Sequence, residues 1–271
     1  MSHERLWSLA PASYMSCMDD DDLLSLASAL AQQAGEAILA IRKQGFDVLR
    51  KEDASPVTAA DHAAEAIIVR GLREATPEMP VIAEEEVAGG RITSPCAQYW
   101  LVDPLDGTRE FTAGRDEFAI NIGLVRDGRA HLGVVGIPAL GEIFGGIVGR
   151  GAWKRVRGVQ QAIRARIAPQ EGMTVLASRH HGNQERLQSF LEGRRVAEVI
   201  NFGSAVKFCR LAEGIADLYP RFGRTMEWDT AAPQALLEAA GGTVCTLDGR
   251  PLRYGKAGWE NPHFVCTGRM T

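Results

Sequence analysis

The sequence predicts an α/β chain in which an α+β lobe is followed by an α/β lobe. Two helical patterns open the chain, short apolar runs punctuated by glycine occupy its middle, and strand patterns alternate with helical ones from about residue 174. The 271 residues, 45% apolar and 24% charged, are enough to bury a large core. We therefore expect one unit at 19–271, with lobes at about 19–157 and 158–271, behind an N-terminal tail at 1–18.

The first lobe is predicted to begin with two amphipathic helices. Acidic residues at 19–22 offer N-caps to the first helix, and its apolar side chains recur at helical spacing until Gly45. The second helix is predicted at about 60–74, and Pro77 and Pro80 prevent its continuation.

Five short apolar runs predict the strands of this lobe. The runs at 81–83 and 99–102 are typical of buried strands. Three further runs, at 118–125, 130–137 and 142–148, predict an antiparallel meander, because Asp127-Gly128 between the first two is a hairpin signal.

The second lobe is predicted from a change of pattern after residue 174. Its predicted strands lie at 175–177 and 216–219, and its predicted helices lie near 183–191, near 204–213 and from Asp229 onward. Pro233 falls in the first turn of that last helix and is expected to distort its start. The basic stretch 154–166 between the lobes lacks interleaved aromatic residues, so we expect a solvated surface there and not a nucleic-acid patch.

Charge and cysteine usage exclude several classes of protein. The net charge of −4 argues against a nucleic-acid coat or a polybasic membrane binder, and taken alone it does not favour an anionic substrate. Five scattered cysteines, with no Cys-x-x-Cys pair, suggest neither a disulfide framework nor a zinc site. Without an uncharged run of about 18 residues or a secretory signal, we expect a cytoplasmic protein with no transmembrane segment. Peripheral association with the cytoplasmic face of the inner membrane remains an alternative.

Four segments place carboxylates after apolar strands or at the starts of helices. They are Asp61, the glutamates at 84–86, the pair Asp103 and Asp106, and Asp229. Strand ends are where α/β folds collect ligands. Taken singly, Asp61 and Asp229 could be helix caps and the triple glutamate a solvated loop.

The segment 103–108 is the most specific of these signals. Pro104 fixes φ and Gly107 permits an unusual turn, so the chain can aim Asp103 and Asp106 at one point with the Leu105 carbonyl between them. Two converging carboxylates require a proton or a cation, and oxygen ligands of this kind suit Mg²⁺. The start of a helix or turn at Gly107 and Thr108 could hold a phosphate. Hydrolysis of a phosphomonoester fits this set of groups.

The chain resembles the magnesium-dependent, lithium-sensitive phosphatases of the inositol monophosphatase superfamily. The resemblance rests on DPLDGTREF at 103–111, on WDTAA at 228–232 with EAAGG at 238–242, and on the acidic segment upstream. It implies a layered α/β/α/β/α sandwich and two or three Mg²⁺ ions, and it implies that Li⁺ inhibits. The metal ligands it implies are Glu84, Asp103, Asp106, Asp229 and the Leu105 carbonyl. Asp61 would serve a third metal or its water, and Thr108 and Glu84 would position the attacking water.

Other stretches are similar to the 3'(2'),5'-bisphosphate nucleotidase branch of this superfamily. They are KEDASPVTAAD at 51–61, SRHH at 178–181, GSAVKFC at 203–209 and YPRFG at 219–223. This branch removes the 3'-phosphate of adenosine 3',5'-bisphosphate, in sulfur metabolism. The resemblance implies a substrate site of Gly107, Thr108, His181, Gly203, Ser204, Lys207 and Arg221. A second cationic site is what the phosphate that is not cleaved requires.

Several alternatives remain open at this stage. Lys207 and Arg221 could be exposed surface charges, and His181 could simply lie on the surface. Arg109 stands where lysine is common in this branch, and Glu227 is an extra acid beside the site. A phosphatase for inositol or other sugar phosphates is the nearest rival function, followed by a non-catalytic nucleotide or metal binder. A monomer is favoured over a homodimer. The net charge of −4 no longer argues against an anionic substrate, because bound Mg²⁺ would cancel much of the negative charge of the acidic cluster.

Overall fold

The computed structural model describes residues 18–50, 56–91, 93–179 and 184–269. Residues 1–17 of the expected tail at 1–18, the stretch 51–55 and His181 lie outside these residues. The helices are α1 (Asp20–Gln44), α2 (Ala59–Ala75), α3 (Glu84–Ala88), α4 (Thr108–Thr112), α5 (Gln184–Leu191), α6 (Val206–Ala212) and α7 (Ala231–Ala239). The strands are β1 (Val48–Arg50), β2 (Pro56–Thr58), β3 (Val81–Ala83), β4 (Gln98–Asp106), β5 (Ala119–Arg126), β6 (Arg129–Ile137), β7 (Glu142–Ile147), β8 (Gly151–Val156), β9 (Val159–Ile163), β10 (Met173–Ser178), β11 (Val196–Phe202), β12 (Leu218–Arg221), β13 (Thr243–Thr246) and β14 (Phe264–Thr267). Short 3-10 turns occupy Pro138–Leu140 and Glu227–Asp229.

Two principal sheets organise the described residues. The first runs β3-β4-β5-β6-β7-β8-β9 and is antiparallel except for the parallel pair β3 and β4. The second runs β11-β10-β12-β14-β13, in which β11, β10 and β12 are parallel and β14 is antiparallel to both of its neighbours. The predicted meander is confirmed, and its hairpin turn places Asp127 and Gly128 at φ 51° and 68° as a type I′ turn requires.

The helices α1 and α2 cover one face of the first sheet. Asp19 caps α1 and accepts hydrogen bonds from the N–H groups of Asp21 and Asp22, and Thr58 caps α2. Their apolar faces are buried with side chains of β3 to β7 in one hydrophobic cluster. Among the described residues, α1 is the one helix long and apolar enough to span a membrane, but its apolar side is buried in this cluster.

The helices α6 and α7 lie between the two sheets. The first turn of α7 approaches β5 and β6 at Gly123 and Gly133, which face each other across the two strands. A Cβ on Gly133 would lie 2.1 Å from the Ala232 carbonyl oxygen, so the helix backbone rests directly on the sheet. With α5 connecting the parallel strands β10 and β11, the predicted layered α/β/α/β/α class is confirmed.

The structure departs from the sequence analysis at several elements. The stretch 154–166 falls largely in β8 and β9 and is partly solvated: residues 157–162 are exposed, whereas Lys154 and Arg166 form ion pairs with Glu213 and Asp217. The first sheet thus extends to Ile163, beyond the expected lobe boundary near 157. β11, β13 and β14 were not predicted: β13 and β14 have only four residues each, and most side chains of β11 are exposed.

Candidate active site

The parallel strands β3 and β4 place two carboxylates at one edge of the first sheet. Ala83 pairs with Val102, so Glu84 and Asp103 follow as neighbours at the carboxyl ends of the two strands. Glu84 opens α3, so the triple glutamate is a helix start and not the solvated loop that the sequence left open. Asp103 is buried, and its Oδ1 accepts a hydrogen bond from the Leu105 N–H at 3.0 Å.

A β-bulge turns Asp106 to the same side as Asp103. Asp103 pairs with Asn121 and Asp106 pairs with Ala119, so β4 has one residue more than β5 over this interval. In a regular strand, residues three apart point to opposite faces, and the extra residue removes that difference. Gly107 follows at φ 89°, in the left-handed region that favours glycine. A bulge inside the strand, followed by a glycine turn, thus shapes the segment in which the sequence predicts that Asp103 and Asp106 converge.

Asp229 approaches this edge from the second half of the chain. One carboxylate oxygen from each of Glu84, Asp103 and Asp229 lies within 4.8 Å of the other two. Asp229 ends the 3-10 turn, and its Oδ2 accepts a hydrogen bond from the Met226 N–H at 2.9 Å, so it does not cap α7. Burial raises the pKa of Asp229 well above its usual value, and the charges of Asp106 and Glu84 act in the same direction. Carboxylates forced together in this way fit a divalent cation with oxygen ligands.

Asp61 and Thr108 form a hydrogen-bonded pair beside the cluster. Thr108 Oγ1 lies 3.1 Å from Asp61 Oδ1 and 3.1 Å from the Leu105 carbonyl oxygen. The other Asp61 oxygen accepts hydrogen bonds at 2.7 Å from the N–H and the hydroxyl of Thr58, which is the α2 N-cap. Asp61 thus takes part in capping α2 and also contacts Thr108 of the candidate site. Its two interpretations from the sequence, as a helix cap and as a site residue, are therefore compatible.

One cavity of about 380 Å³ is lined by both acidic and cationic side chains. Glu84, Asp106 and Asp229 line it together with Lys207 and Arg221. Gly107, Thr108, Arg109, Gly203 and Ser204 line the same cavity. The site residues named from the sequence line this cavity, apart from Asp61, Asp103 and Leu105, which are outside its lining, and His181, which lies outside the described residues.

Lys207 and Arg221 are buried, so neither is the surface charge that the sequence left open. Lys207 Nζ donates to the carbonyl oxygens of Phe202 and Ser204 at 3.1 and 2.7 Å. Burial and the nearby charge of Arg221 lower the pKa of Lys207 to about 7, against the opposing charges of Asp106, Glu110 and Glu117. Arg221 donates to Ser178 Oγ at 2.7 Å, and its buried Nε has no hydrogen-bond partner among the described residues. A buried guanidinium N–H without an acceptor fits an anionic ligand.

Gly203, Ser204 and Ala205 form a loop that lines the cavity, and we call it loop 203–205. Asp106 Oδ2 accepts a hydrogen bond from Ser204 Oγ at 2.8 Å and another from the Ala205 N–H at 2.5 Å. Ser204 has φ 54°, which is an unusual conformation for a residue with a side chain. A Cβ on Gly203 would lie 2.6 Å from Glu110 Cγ, so glycine is required at this position.

Two site details differ from the sequence analysis. Glu227 is fully buried and accepts hydrogen bonds from the N–H groups of Gly255 and Lys256, so it anchors that loop and is not an extra acid in the cavity. Glu117 contacts loop 203–205, Arg179 contacts Glu117 and the Asn201 carbonyl, and neither was identified from the sequence as a site residue. Arg179 lies within SRHH, but nothing in the pattern around Glu117 marks it.

Comparisons with known proteins agree on the family to which the chain belongs. Residues 19–266 match the inositol monophosphatase family. The 3'(2'),5'-bisphosphate nucleotidase CysQ of Escherichia coli K12 is 42% identical over 245 residues, which are 89% of this chain and 98% of that protein.

Solved structures of this fold superpose on most of the chain. The CysQ structure from Bacteroides thetaiotaomicron has a TM-score of 0.79 at 33% identity and covers 93% of this chain and 99% of its own. An inositol monophosphatase structure from Anabaena has a TM-score of 0.73 at 26% identity and covers 92% of this chain and 91% of its own.

Proposed function

This chain belongs to the inositol monophosphatase family, and from that premise we propose that it hydrolyses adenosine 3',5'-bisphosphate to AMP and phosphate. The observation that carries the proposal is that buried Lys207 and Arg221 line the same cavity as the carboxylate cluster. A bisphosphate has one phosphate for the carboxylate cluster with its cations and a second for Lys207 and Arg221, whereas an inositol monophosphate has no group that requires this cationic pair. The identity to CysQ nucleotidases supports the same substrate.

The carboxylate cluster is proposed to hold two or three Mg²⁺ ions. The donor set of Glu84, Asp103, Asp106, Asp229 and the Leu105 carbonyl consists of oxygen atoms, and the crowding that raises the pKa of Asp229 is what a cation would relieve. When bound, Mg²⁺ would polarise the phosphoryl oxygens, activate water and stabilise the leaving alkoxide. Inhibition by Li⁺ is expected at the same site.

Thr108, Asp61 and Glu84 are proposed to orient the attacking water. With its hydrogen directed to Asp61 Oδ1, Thr108 Oγ1 has lone pairs that can accept a hydrogen bond from that water. Asp61 is held in place by Thr58, so it keeps the hydroxyl in this orientation. A proton released by the water can pass through Thr108 to Asp61, while Glu84 accepts the second water hydrogen.

The remaining phosphate and the nucleoside are proposed to lie beside Lys207 and Arg221. The Arg221 Nε and the Lys207 ammonium supply charge-assisted donors there, and the backbone at Gly107, Gly203 and Ser204 forms the wall. His181 remains a sequence-based candidate for the same subsite.

A direct comparison of substrates tests this function. Phosphate release is measured with Mg²⁺ on adenosine 3',5'-bisphosphate and on inositol 1-phosphate side by side, and again with Li⁺. We expect a higher kcat/KM on the bisphosphate and inhibition by Li⁺. Preference for inositol 1-phosphate would contradict the nucleotidase proposal and favour the rival phosphatase, whereas hydrolysis of neither would favour a non-catalytic binder.

We also propose that the protein acts in the cytoplasm, in sulfur metabolism. The four cysteines within the described residues are all free thiols, which fits a reducing compartment. The expected monomeric state can be checked by sedimentation.

A further inference from the structure

Loop 203–205 is held by acidic side chains of the segment that follows the bulge. Asp106 accepts two hydrogen bonds at the Ser204 and Ala205 end. At the other end, Glu117 Oε2 accepts a hydrogen bond from the Gly203 N–H at 3.0 Å. The loop is therefore fixed at both ends by carboxylates, of which only Asp106 belongs to the proposed metal site.

Arg179 holds the Glu117 carboxylate in this orientation. Its guanidinium lies 2.7 Å from Glu117 Oε2 and 3.0 Å from Glu117 Oε1, which is a two-point ion pair. The same guanidinium donates to the Asn201 carbonyl oxygen at 3.3 Å, just before the loop. Glu117 is about one quarter exposed, at 23% of its side chain, so the pair is only partly screened by water.

The loop needs such support because its conformation is unfavourable. Ser204 has φ 54°, and a serine relaxes readily from this region unless its neighbours are fixed. The Glu117 carbonyl oxygen also lies 3.2 Å from where a Cβ on Gly107 would stand, so Glu117 contacts both glycine turns of the cavity wall.

We propose that Glu117, oriented by Arg179, is a positioning residue that fixes the Gly203 end of loop 203–205 for binding of the nucleotide. The inference rests on the proposed function, because it assigns the loop to the bisphosphate substrate. Glu117 lines no part of the cavity and acts through the Gly203 backbone. Its loss leaves the hydrogen bonds between Asp106 and the loop in place, so substrate binding and not chemistry is the step that it affects.

The test combines kinetics with amide hydrogen exchange. In Glu117→Ala, we expect KM for adenosine 3',5'-bisphosphate to rise about tenfold, which is the loss of one hydrogen bond to a charged acceptor. We expect kcat to stay within about twofold of wild type. The peptide that contains residues 203–205 should exchange faster in the substrate-free variant. Glu117→Gln keeps an acceptor for the Gly203 N–H and should raise KM by no more than about threefold.

Asp116→Ala is the matched control, because Asp116 is exposed, adjacent in sequence and paired with Arg42 away from the loop. Unchanged KM and unchanged exchange in Glu117→Ala would overturn the proposal, and so would a fall in kcat at constant KM. Because exchange is measured without substrate, it decides the role of Glu117 even if wild type fails to hydrolyse the bisphosphate. That failure would contradict the proposed function instead.

Discussion

Thr108 is the residue whose chemistry is easiest to isolate in the proposed site. Its hydroxyl lies within hydrogen-bond distance of Asp61 and of the Leu105 carbonyl, and its side chain lines the cavity. Thr108→Val keeps the shape and removes the hydroxyl, so we expect kcat to fall about 100-fold, the lower range for loss of a positioned proton carrier. Thr108→Ser keeps the hydroxyl and should retain most of the activity, as measured by phosphate release. Equal losses in both variants would contradict the role of the hydroxyl.

Glu65 gives a prediction about stability and pH. It is buried on α2, and burial raises its pKa to about 7, with Glu85, Glu86 and Glu84 acting in the same direction. Between pH 4.5 and about 7 the folded protein holds this proton and the unfolded chain does not, so this group's contribution to stability falls as pH rises through that window. Glu65→Gln removes the effect, and its amide oxygen can still accept the Glu85 N–H.

We therefore expect Glu65→Gln to be more stable than wild type at pH 8 by on the order of 2 kcal/mol, and similar to it near pH 4.5. The measurement is urea unfolding at both pH values in the presence of a chelator. Glu74→Gln, on the exposed side of the same helix, is the control and should show no such difference. A stability difference that is independent of pH would exclude titration of Glu65 as its cause.

Some residues could be identified from the sequence and others could not. The carboxylates could be found because each follows a short apolar strand or opens a helix, and those patterns are local. The burial of Lys207 could not, because it depends on Phe202 and Tyr219, which approach only in the folded chain. Glu117 and Glu65 were not identified for the same reason, since their hydrogen-bond partners lie 86 and 20 residues away along the chain.

At the scale of elements, the packing of α7 against the first sheet sets the position of Asp229. Gly133 leaves no room for a side chain under Ala232, and Asp229 lies just before this helix. Gly133→Ala should therefore displace α7, lower the free energy of unfolding by about 3 kcal/mol and reduce activity. Gly136→Ala on the same strand is the matched control, because the nearest atom to its Cβ would be 3.7 Å away. Urea unfolding and phosphate release are the measurements, and equal effects of the two substitutions would contradict this account.

The helices that were predicted most accurately have both a periodic apolar pattern and a capping residue at the start. α1 and α2 were located to within about a residue because their apolar stripes coincide with Asp19 and Thr58 caps. β9 and β11 were missed because most of their side chains are exposed, so the pattern lacks a buried face. The last predicted helix begins at Ala231 and not at Asp229, since a 3-10 turn precedes it and Pro233 occupies its first turn.

At the scale of the whole molecule, the proposed metal ligands come from distant parts of the chain. Asp103 and Asp229 are brought together across the two lobes, so a bound cation would close a long loop. We expect Mg²⁺ at a hundredfold excess over its dissociation constant to stabilise the fold by about 3 kcal/mol. Thermal unfolding with Mg²⁺ and with a chelator measures this difference.

Asp229→Asn should lose most of that stabilisation, because it removes one charge from the cluster. Asp248→Asn, an exposed acid far along the chain from the cluster, should keep it. A Mg²⁺-induced shift that is the same in both variants would place the metal elsewhere.

The shared layer of α6 and α7 has a consequence for how the chain can be divided. One hydrophobic cluster contains Leu101 and Phe144 of the first sheet together with Tyr219 and Phe264 of the second, and α7 fills the space between them. A fragment that ends at Ile163 would expose the glycine-lined face of β5 and β6, and its complement would expose the other half of the same cluster. We therefore expect fragment complementation: each half should be insoluble alone, and the two should recover the native fold, and with it the enzymatic activity, only when they are produced together.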